Sequence, residues 1–361
     1  MVEPHSDLID YHLPEGLIAQ TPLPDRSASR LLMLDRFTGE VRHLQFRDCL
    51  TLFEPNDVLV VNETRVTATR VYGQRDSSGR GKVELLLLAE IAPNIFRCLV
   101  SPAKKLVVGQ GIFLENQLYG RVLEVLDAGL RVIEISSEGE VTESELNIRK
   151  RLNEVALSPL PPYIKQRLAD RDRYQTVYAE SELARNGSAA APTAGLHFTQ
   201  DILDQLVHKG VQIVKINLQI GLDTFRPMTA TKAEEHIMHG ESCAISAEAS
   251  EVINQRKGKL IAVGTTTVRT LETFARESKK SGQLTPGNIE SKLFLKPGDN
   301  FKIVDGMFTN FHMPKTTMLL MIAAFSRPKY IRKAYEEAVA EKYRFLSFGD
   351  SMFIGKLPKL T

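Results

Sequence analysis

Disulfide stapling, membrane insertion and a phosphate-binding glycine loop each lack a basis in this sequence. The 361 residues include only three cysteines, Cys49, Cys98 and Cys243. They lie far apart without C-x-x-C spacing, which excludes a disulfide framework and a cysteine zinc site and predicts buried free thiols. No run approaches the roughly 18 apolar residues of a membrane span, and Met1 to Asp10 have neither the basic start nor the apolar stretch of a signal peptide. The expected setting is cytoplasmic, with no membrane partner. Neither G-x-G-x-x-G nor G-x-x-x-x-G-K-[ST] occurs, so Rossmann and P-loop nucleotide sites are unsupported. There is no internal repeat and no low-complexity segment. A net charge of +2 gives no whole-chain pull toward nucleic acid, so any RNA contact must come from local patches.

What is present is ordinary globular material, 43% hydrophobic and 25% charged, long enough for about two domains. Short β-rich runs follow one another from Thr67 to Ser136: 67–75, 82–90, 95–101, 111–115, 119–125 and 130–136. Turn signals such as Ala92-Pro93-Asn94 and Asp127-Ala128-Gly129 separate them. This spacing suits a small antiparallel barrel or sandwich. The remainder alternates between helix and strand, the pattern of an α/β layer. Strands are expected at 31–34, 58–61, 211–220 and 260–263. Helices are expected at 199–209, capped by Thr199 and ended by Gly210, at 247–255 and 266–277, after Pro314, and at 328–341. The chain therefore divides into a discontinuous α/β domain, 1–66 with 152–361, and an inserted β-barrel domain, 67–151.

Several constellations can carry chemistry. Gly264-Thr265-Thr266-Thr267 lies between a buried strand and a helix that carries Arg269, so free N–H groups, hydroxyls and one cation could hold a carboxylate or phosphate. The same residues also suit a plain capped turn. Ala189 to Thr199 is a run of small residues reaching His197, and Thr309 to Pro314 carries Asn310 and His312. Each could face a ligand or simply satisfy the interior. His236, His239 and Glu241 fall within six residues but lack the H-E-x-x-H arrangement, so a general base or acid is favoured over metal ligation. Asn62, Thr64 and Arg65 end a hydrophobic strand, where α/β sheets gather ligands. Asp350 reads as a turn residue. Between Leu146 and Gln175, seven cations outnumber three carboxylates.

Read together, these segments resemble the S-adenosylmethionine:tRNA ribosyltransferase-isomerase family of queuosine biosynthesis across almost the whole chain. The blocks that carry the resemblance are Leu17 to Gln20 with Arg26 and Ser29 to Leu31, Asn62 to Val66, Leu160 to Ile164 and Arg173 to Ala179. Ala190 to Thr199, His236 to Glu241, Ala262 to Glu272 and Thr309 to Pro314 continue the series. Departures are Glu63 for Asp or Asn, Asp223 for Gly, Gly240 for Ser, Thr267 for Ser and Phe348 for Tyr.

The resemblance implies an α/β domain interrupted by a barrel, acting as a monomer on the tRNA anticodon loop. The implied reaction moves and isomerises the ribosyl group of S-adenosylmethionine onto the aminomethyl group of a 7-deazaguanine base at the wobble position. Epoxyqueuosine forms, and adenine and methionine leave. No cofactor or metal is needed, because S-adenosylmethionine is a consumed substrate.

On this reading His197, His236, His239 and His312 are the candidate proton-transfer groups. Thr265, Thr266 and Arg269 hold the methionine carboxylate. Asn62, Thr64, Arg65, Thr193, Gly264 and Asn310 complete the S-adenosylmethionine site. Arg149, Lys150, Arg151, Lys165, Arg167 and Arg173 meet tRNA phosphates. Two rival readings are a metal-dependent hydrolase built on the imidazole cluster with Glu241, and a noncatalytic RNA-binding adaptor.

Overall fold

The computed structural model describes residues 10–75, 81–137, 145–180, 187–221, 240–280 and 282–359. Near the start of the chain come β1 (Arg30–Asp35), β2 (Val41–Gln45) and β3 (Val58–Asn62). The chain then builds β4 (Thr69–Gln74), β5 (Lys82–Ala92), β6 (Ile95–Ser101), β7 (Gly111–Leu114), β8 (Leu118–Val125) and β9 (Leu130–Ser137). These six close into an antiparallel barrel in the order β4-β5-β6-β9-β8-β7. Of barrel and sandwich, the barrel forms. In β6 the burial alternates along the strand as the pleat requires, with Phe96, Cys98 and Val100 turned inward. Helix α1 (Glu145–Val155) brings Ile148 and Leu152 into the same core, so the expected border at 151 falls inside a helix.

The chain returns to the first layer with α2 (Gln200–His208), β10 (Gln212–Leu218), β11 (Glu241–Ile245), α3 (Ala247–Gln255), β12 (Leu260–Val263) and α4 (Thr265–Glu277). β13 (Gly287–Ser291), β14 (Gly306–Asn310), α5 (Thr317–Phe325), α6 (Pro328–Ala340) and β15 (Ser351–Gly355) complete it. Nine strands form one mixed sheet, β13-β11-β10-β3-β12-β14-β15-β1-β2, in which β10, β3, β12 and β14 run parallel. Local signals act as expected: Thr199 Oγ1 accepts from Ile202 N at 3.3 Å, Gly210 takes φ 88°, and Pro328 opens α6.

The strands at the centre read as unbroken apolar runs because both faces are covered. Val58 and Val60 join the cluster beneath α3, α4, α5 and α6. Leu59 and Val61 join the opposite one, formed by α2 and the 46–53 segment. The same split divides Leu260 and Ala262 from Ile261 and Val263. The result is a helix–sheet–helix sandwich, the α/β architecture expected. All three cysteines are buried and free. Among the described residues, no helix is long and apolar enough to cross a membrane.

Five strands of this sheet, β2, β11, β13, β14 and β15, lie outside those expected from the sequence. β14 is five residues, all buried, with no alternation to betray it, and it ends in the Thr309–Asn310 pair. β15 likewise is buried throughout, and Asp350 is no mere turn residue. Its carboxylate accepts from Arg30 N at 2.8 Å and Arg344 N at 2.7 Å, fastening β1 to the approach of β15.

Candidate active site

In a parallel sheet the free space for a ligand lies beyond the carboxyl ends of the strands, where neighbouring connections leave in opposite directions. Here β3 is flanked by β10 on one side and β12 on the other, and a cavity opens past these ends. Its space of about 670 Å³ includes the open solvent at its mouth. Gly264, Thr265 and Thr266 form the wall after β12, and Thr309, Asn310 and His312 the wall after β14. Ala191 to Ala194 close one side. Tyr163, Met313, Met318 and Leu346 supply apolar surface.

The turn after β12 is shaped by its glycine. Gly264 sits at φ 88° and ψ 154°, a backbone region essentially restricted to glycine. No side chain caps α4, and its first intrahelical bond is Val268 N to Gly264 O at 3.2 Å. The N–H groups of Thr265 and Thr266 thus open the helix beside the cavity, at the positive end of its dipole. Thr266 Oγ1 is buried without a partner among the described residues. An anion would satisfy all three. Thr267 faces inward instead, its hydroxyl donating to Val263 O at 2.6 Å.

Arg269 does not join them. Its guanidinium is buried against Glu241, 2.5 Å away, and donates to Ser291 O at 2.8 Å. A cation one turn into a helix looked available in sequence, but a carboxylate from β11 claims it. Glu241 also accepts from Gly221 N at 3.2 Å, so the carboxylate that the hydrolase reading needs for water activation is committed to structure. Among the described residues, no three His, Cys, Asp or Glu side chains are grouped to hold a metal. His236 and His239, like Asp223, lie outside the described residues.

His312 lines the cavity. Its Nε2 meets Thr309 Oγ1 at 2.7 Å, and Nδ1 has no partner among the described residues. Two tyrosines hold its backbone: Tyr335 Oη accepts from the His312 N–H at 3.0 Å, and the Tyr11 hydroxyl donates to the His312 carbonyl. Burial pushes the imidazole down to about 4, so the ring is neutral at pH 7 and can accept a proton.

His197 lies one layer back. Burial, with lesser contributions from the Arg26 and Arg344 charges, pushes it down to about 3. Its Nε2 accepts from Asn310 Nδ2 at 3.2 Å, and its Nδ1 meets Ser29 Oγ at 2.8 Å. Both ring nitrogens are therefore occupied. Asn310 in turn accepts from Thr193 Oγ1 at 3.2 Å and donates to Leu346 O at 3.3 Å. This chain orients the Asn310 amide, which faces the cavity, and leaves His197 no open nitrogen with which to move a substrate proton. Gly195 is needed behind it, since a Cβ there would lie 1.9 Å from Tyr178 Oη.

Asn62, Thr64 and Arg65 do not line the cavity either. Asn62 clasps β10, accepting from Leu218 N at 3.1 Å and donating to Leu218 O at 3.0 Å. Thr64 Oγ1 meets Ser188 Oγ at 2.7 Å, and Arg65 O accepts from Ser188 N at 2.8 Å. They anchor the small-residue loop that forms the wall. Tyr163 was absent from the expected site, yet its hydroxyl meets Ser347 Oγ at 2.7 Å on the cavity rim. The signal was the Leu160-Pro161-Pro162-Tyr163 run, an extended segment that Gln20 holds through Tyr163 O at 3.0 Å and Lys165 N at 2.8 Å.

The six cations expected to meet RNA fall on separate pieces. Arg149, Lys150 and Arg151 are on α1, where Arg149 pairs with Glu90 at 2.9 Å. Lys165 pairs with Glu15 at 2.9 Å, and Arg167 is exposed beside a groove against β4. Arg173 donates to the carbonyls of Leu23 and Pro24.

Comparison with known proteins agrees with this architecture. The family model described as queuosine biosynthesis protein matches residues 6–354. A Staphylococcus epidermidis protein named S-adenosylmethionine:tRNA ribosyltransferase-isomerase is 46% identical over 349 residues, covering 96% of this chain and 98% of its own. A Staphylococcus aureus protein of the same name is 44% identical with the same coverage. The crystal structure of an S-adenosylmethionine tRNA ribosyltransferase from Thermotoga maritima superposes with a TM-score of 0.52 at 30% identity, covering 96% of this chain and 99% of that one.

Proposed function

The chain belongs to the queuosine biosynthesis protein family and is an enzyme of the S-adenosylmethionine:tRNA ribosyltransferase-isomerase class; we propose that its acceptor is the 7-aminomethyl-7-deazaguanine base at the tRNA wobble position. The products are epoxyqueuosine in tRNA, adenine and methionine. S-adenosylmethionine is consumed, and no further cofactor takes part.

One observation carries this reading to the residues: an uncapped helix N-terminus and a buried imidazole held neutral line the same largely apolar cavity at the sheet's switch point. The methionine carboxylate suits the Thr265 and Thr266 N–H groups with Thr266 Oγ1. The Met313, Met318 and Leu346 wall suits the purine. Loss of a C5′ proton next to the sulfonium gives an ylide that helps expel adenine, and His312 Nδ1 is the described group placed to accept a proton from the ligand. The aminomethyl nitrogen then attacks the altered sugar, and epoxide closure releases methionine. Keeping water from these intermediates is a task for the apolar wall. Asn310, its amide hydrogens spent on His197 and Leu346 O, offers the same ligand only the remaining acceptor capacity of Oδ1, and His197 is a positioning residue.

The test is direct. Purified protein is incubated with S-adenosylmethionine and tRNA carrying the aminomethyl-deazaguanine base, and the products are read by mass spectrometry. Free adenine together with the heavier nucleoside is the expected result. RNA binding without adenine release would instead support the adaptor reading.

A further inference from the structure

A second hollow lies beside the cavity, bordered by Pro22, Leu23, Arg26, Ser29, Arg173 and Ser347. Ser347 also borders the first cavity, and His197 behind it bonds Asn310 on the cavity wall, so the two spaces are one side-chain layer apart. Arg344 does not line the hollow but lies near it, donating to Thr21 O beside Pro22 and acting electrostatically on His197, which does line it. We propose that this hollow, flanked by Arg26, Arg173 and Arg344, holds a backbone phosphate of the RNA substrate next to the nucleotide whose base enters the cavity. The proposal rests on the tRNA reading above.

Charge is the argument. All three guanidinium groups donate to main-chain carbonyls. Arg26 reaches Gln175 O at 2.8 Å, Asp172 O at 3.1 Å and Leu196 O at 3.3 Å, and Arg173 reaches Pro24 O at 3.2 Å and the Leu23 carbonyl. Carbonyls satisfy N–H groups but carry no net charge. None of the three arginines forms an ion pair with a described carboxylate, and no described residue lining the hollow is acidic. Asp25 acts on Arg173 from a distance and pairs with Arg47 at 3.6 Å. Asp170 and Asp172 act on Arg26 but are exposed. Asp350 is spent on the N–H groups of Arg30 and Arg344.

Partial burial and the neighbouring Arg173 charge both push the Arg26 guanidinium below its ordinary range, against the opposing pull of Asp170 and Asp172. Arg173 Nε and Arg344 Nη1 are buried without an acceptor among the described residues. Concentrating cations this way is costly unless an anion completes the set. A phosphodiester, singly negative and with two non-bridging oxygens to accept from guanidinium N–H groups, fits the need, and in recognition of single-stranded loops such contacts fix the register of a splayed base.

The experiment reads RNA binding apart from turnover. Fluorescence anisotropy of a labelled anticodon stem-loop is followed over a salt series for the wild-type chain, Arg173→Gln and Arg173→Lys. Losing one phosphate contact should make the plot of log affinity against log salt shallower by about 0.7–0.9 in the glutamine variant, and lysine should restore the slope. S-adenosylmethionine binding by calorimetry should be unchanged, which separates a lost phosphate contact from a broken loop clamp. Should the glutamine variant unfold early, Arg344→Gln gives the same reading. A wild-type slope in the folded glutamine variant overturns the proposal. Failure of adenine release with the slope change intact would count against the reaction and leave the phosphate site standing.

Discussion

Two histidines that look alike in sequence differ in what their nitrogens have left to do. His197 is bonded at both ring nitrogens, whereas His312, on the cavity wall, bonds through Nε2 and has no partner for Nδ1 among the described residues. Both follow a run of small or polar residues, and nothing local separates them. The difference comes from Ser29 and Asn310, which lie 168 and 113 positions away from His197. With burial holding His312 at about 4, its basic form persists through neutral pH and is lost as pH falls through that value. The acid limb of kcat/KM should therefore lie well below pH 6.5, since that profile reports the free enzyme's essential base. His312→Ala should lower turnover roughly 10²-fold or more. His197→Gln should raise KM and leave the limb where it was. A limb near pH 6.5 in the wild-type enzyme would show that another imidazole is the base.

The βα turn at β12 was readable at the level of its element. A buried apolar strand, a glycine and a threonine run opening a helix are all visible in order, and the structure builds them as such. What stayed hidden was the fate of Arg269, because its partner Glu241 stands on an antiparallel strand that no periodicity announced. β14 and β15 were hidden for a related reason. Buried throughout like β3, they show no alternation, and Gly-Met-Phe-Thr-Asn and Ser-Met-Phe-Ile-Gly lack the aliphatic run that marks β3. The turn itself makes a sharp prediction. A Cβ on Gly264 would meet Ala194 and Thr266 only at ordinary contact distance, 3.6 Å, so the cost of Gly264→Ala is backbone strain of about 1–3 kcal/mol. Relaxing that strain re-aims the Thr265 and Thr266 N–H groups. S-adenosylmethionine binding by calorimetry should weaken roughly ten- to a hundredfold, the worth of a charge-assisted hydrogen bond. A lower melting temperature with unchanged affinity would place the carboxylate elsewhere.

For the whole molecule, the interruption of an α/β layer by a barrel was evident from the change in period between Thr67 and Ser136, because turn signals at short intervals mark antiparallel strands wherever they occur. How the layer closes across that interruption was not evident. The chain leaves after β3 and returns to place β10 and β12 on either side of it, and this creates the switch point where the cavity opens. Asn62 and Thr64, expected as ligand contacts, serve that closure by tying β3 to β10 and to the 188–191 loop.

On the proposed reading a sulfonium nucleoside lies in this cavity with its carboxylate on the first turn of α4. A crystal structure of the complex with S-adenosylmethionine tests it most directly. The carboxylate is predicted within about 3 Å of the Thr265 and Thr266 main-chain nitrogens, with His312 Nδ1 facing the ribose. Ligand density outside this cavity, or a carboxylate bound by Arg269 after it has left Glu241, would contradict the claim.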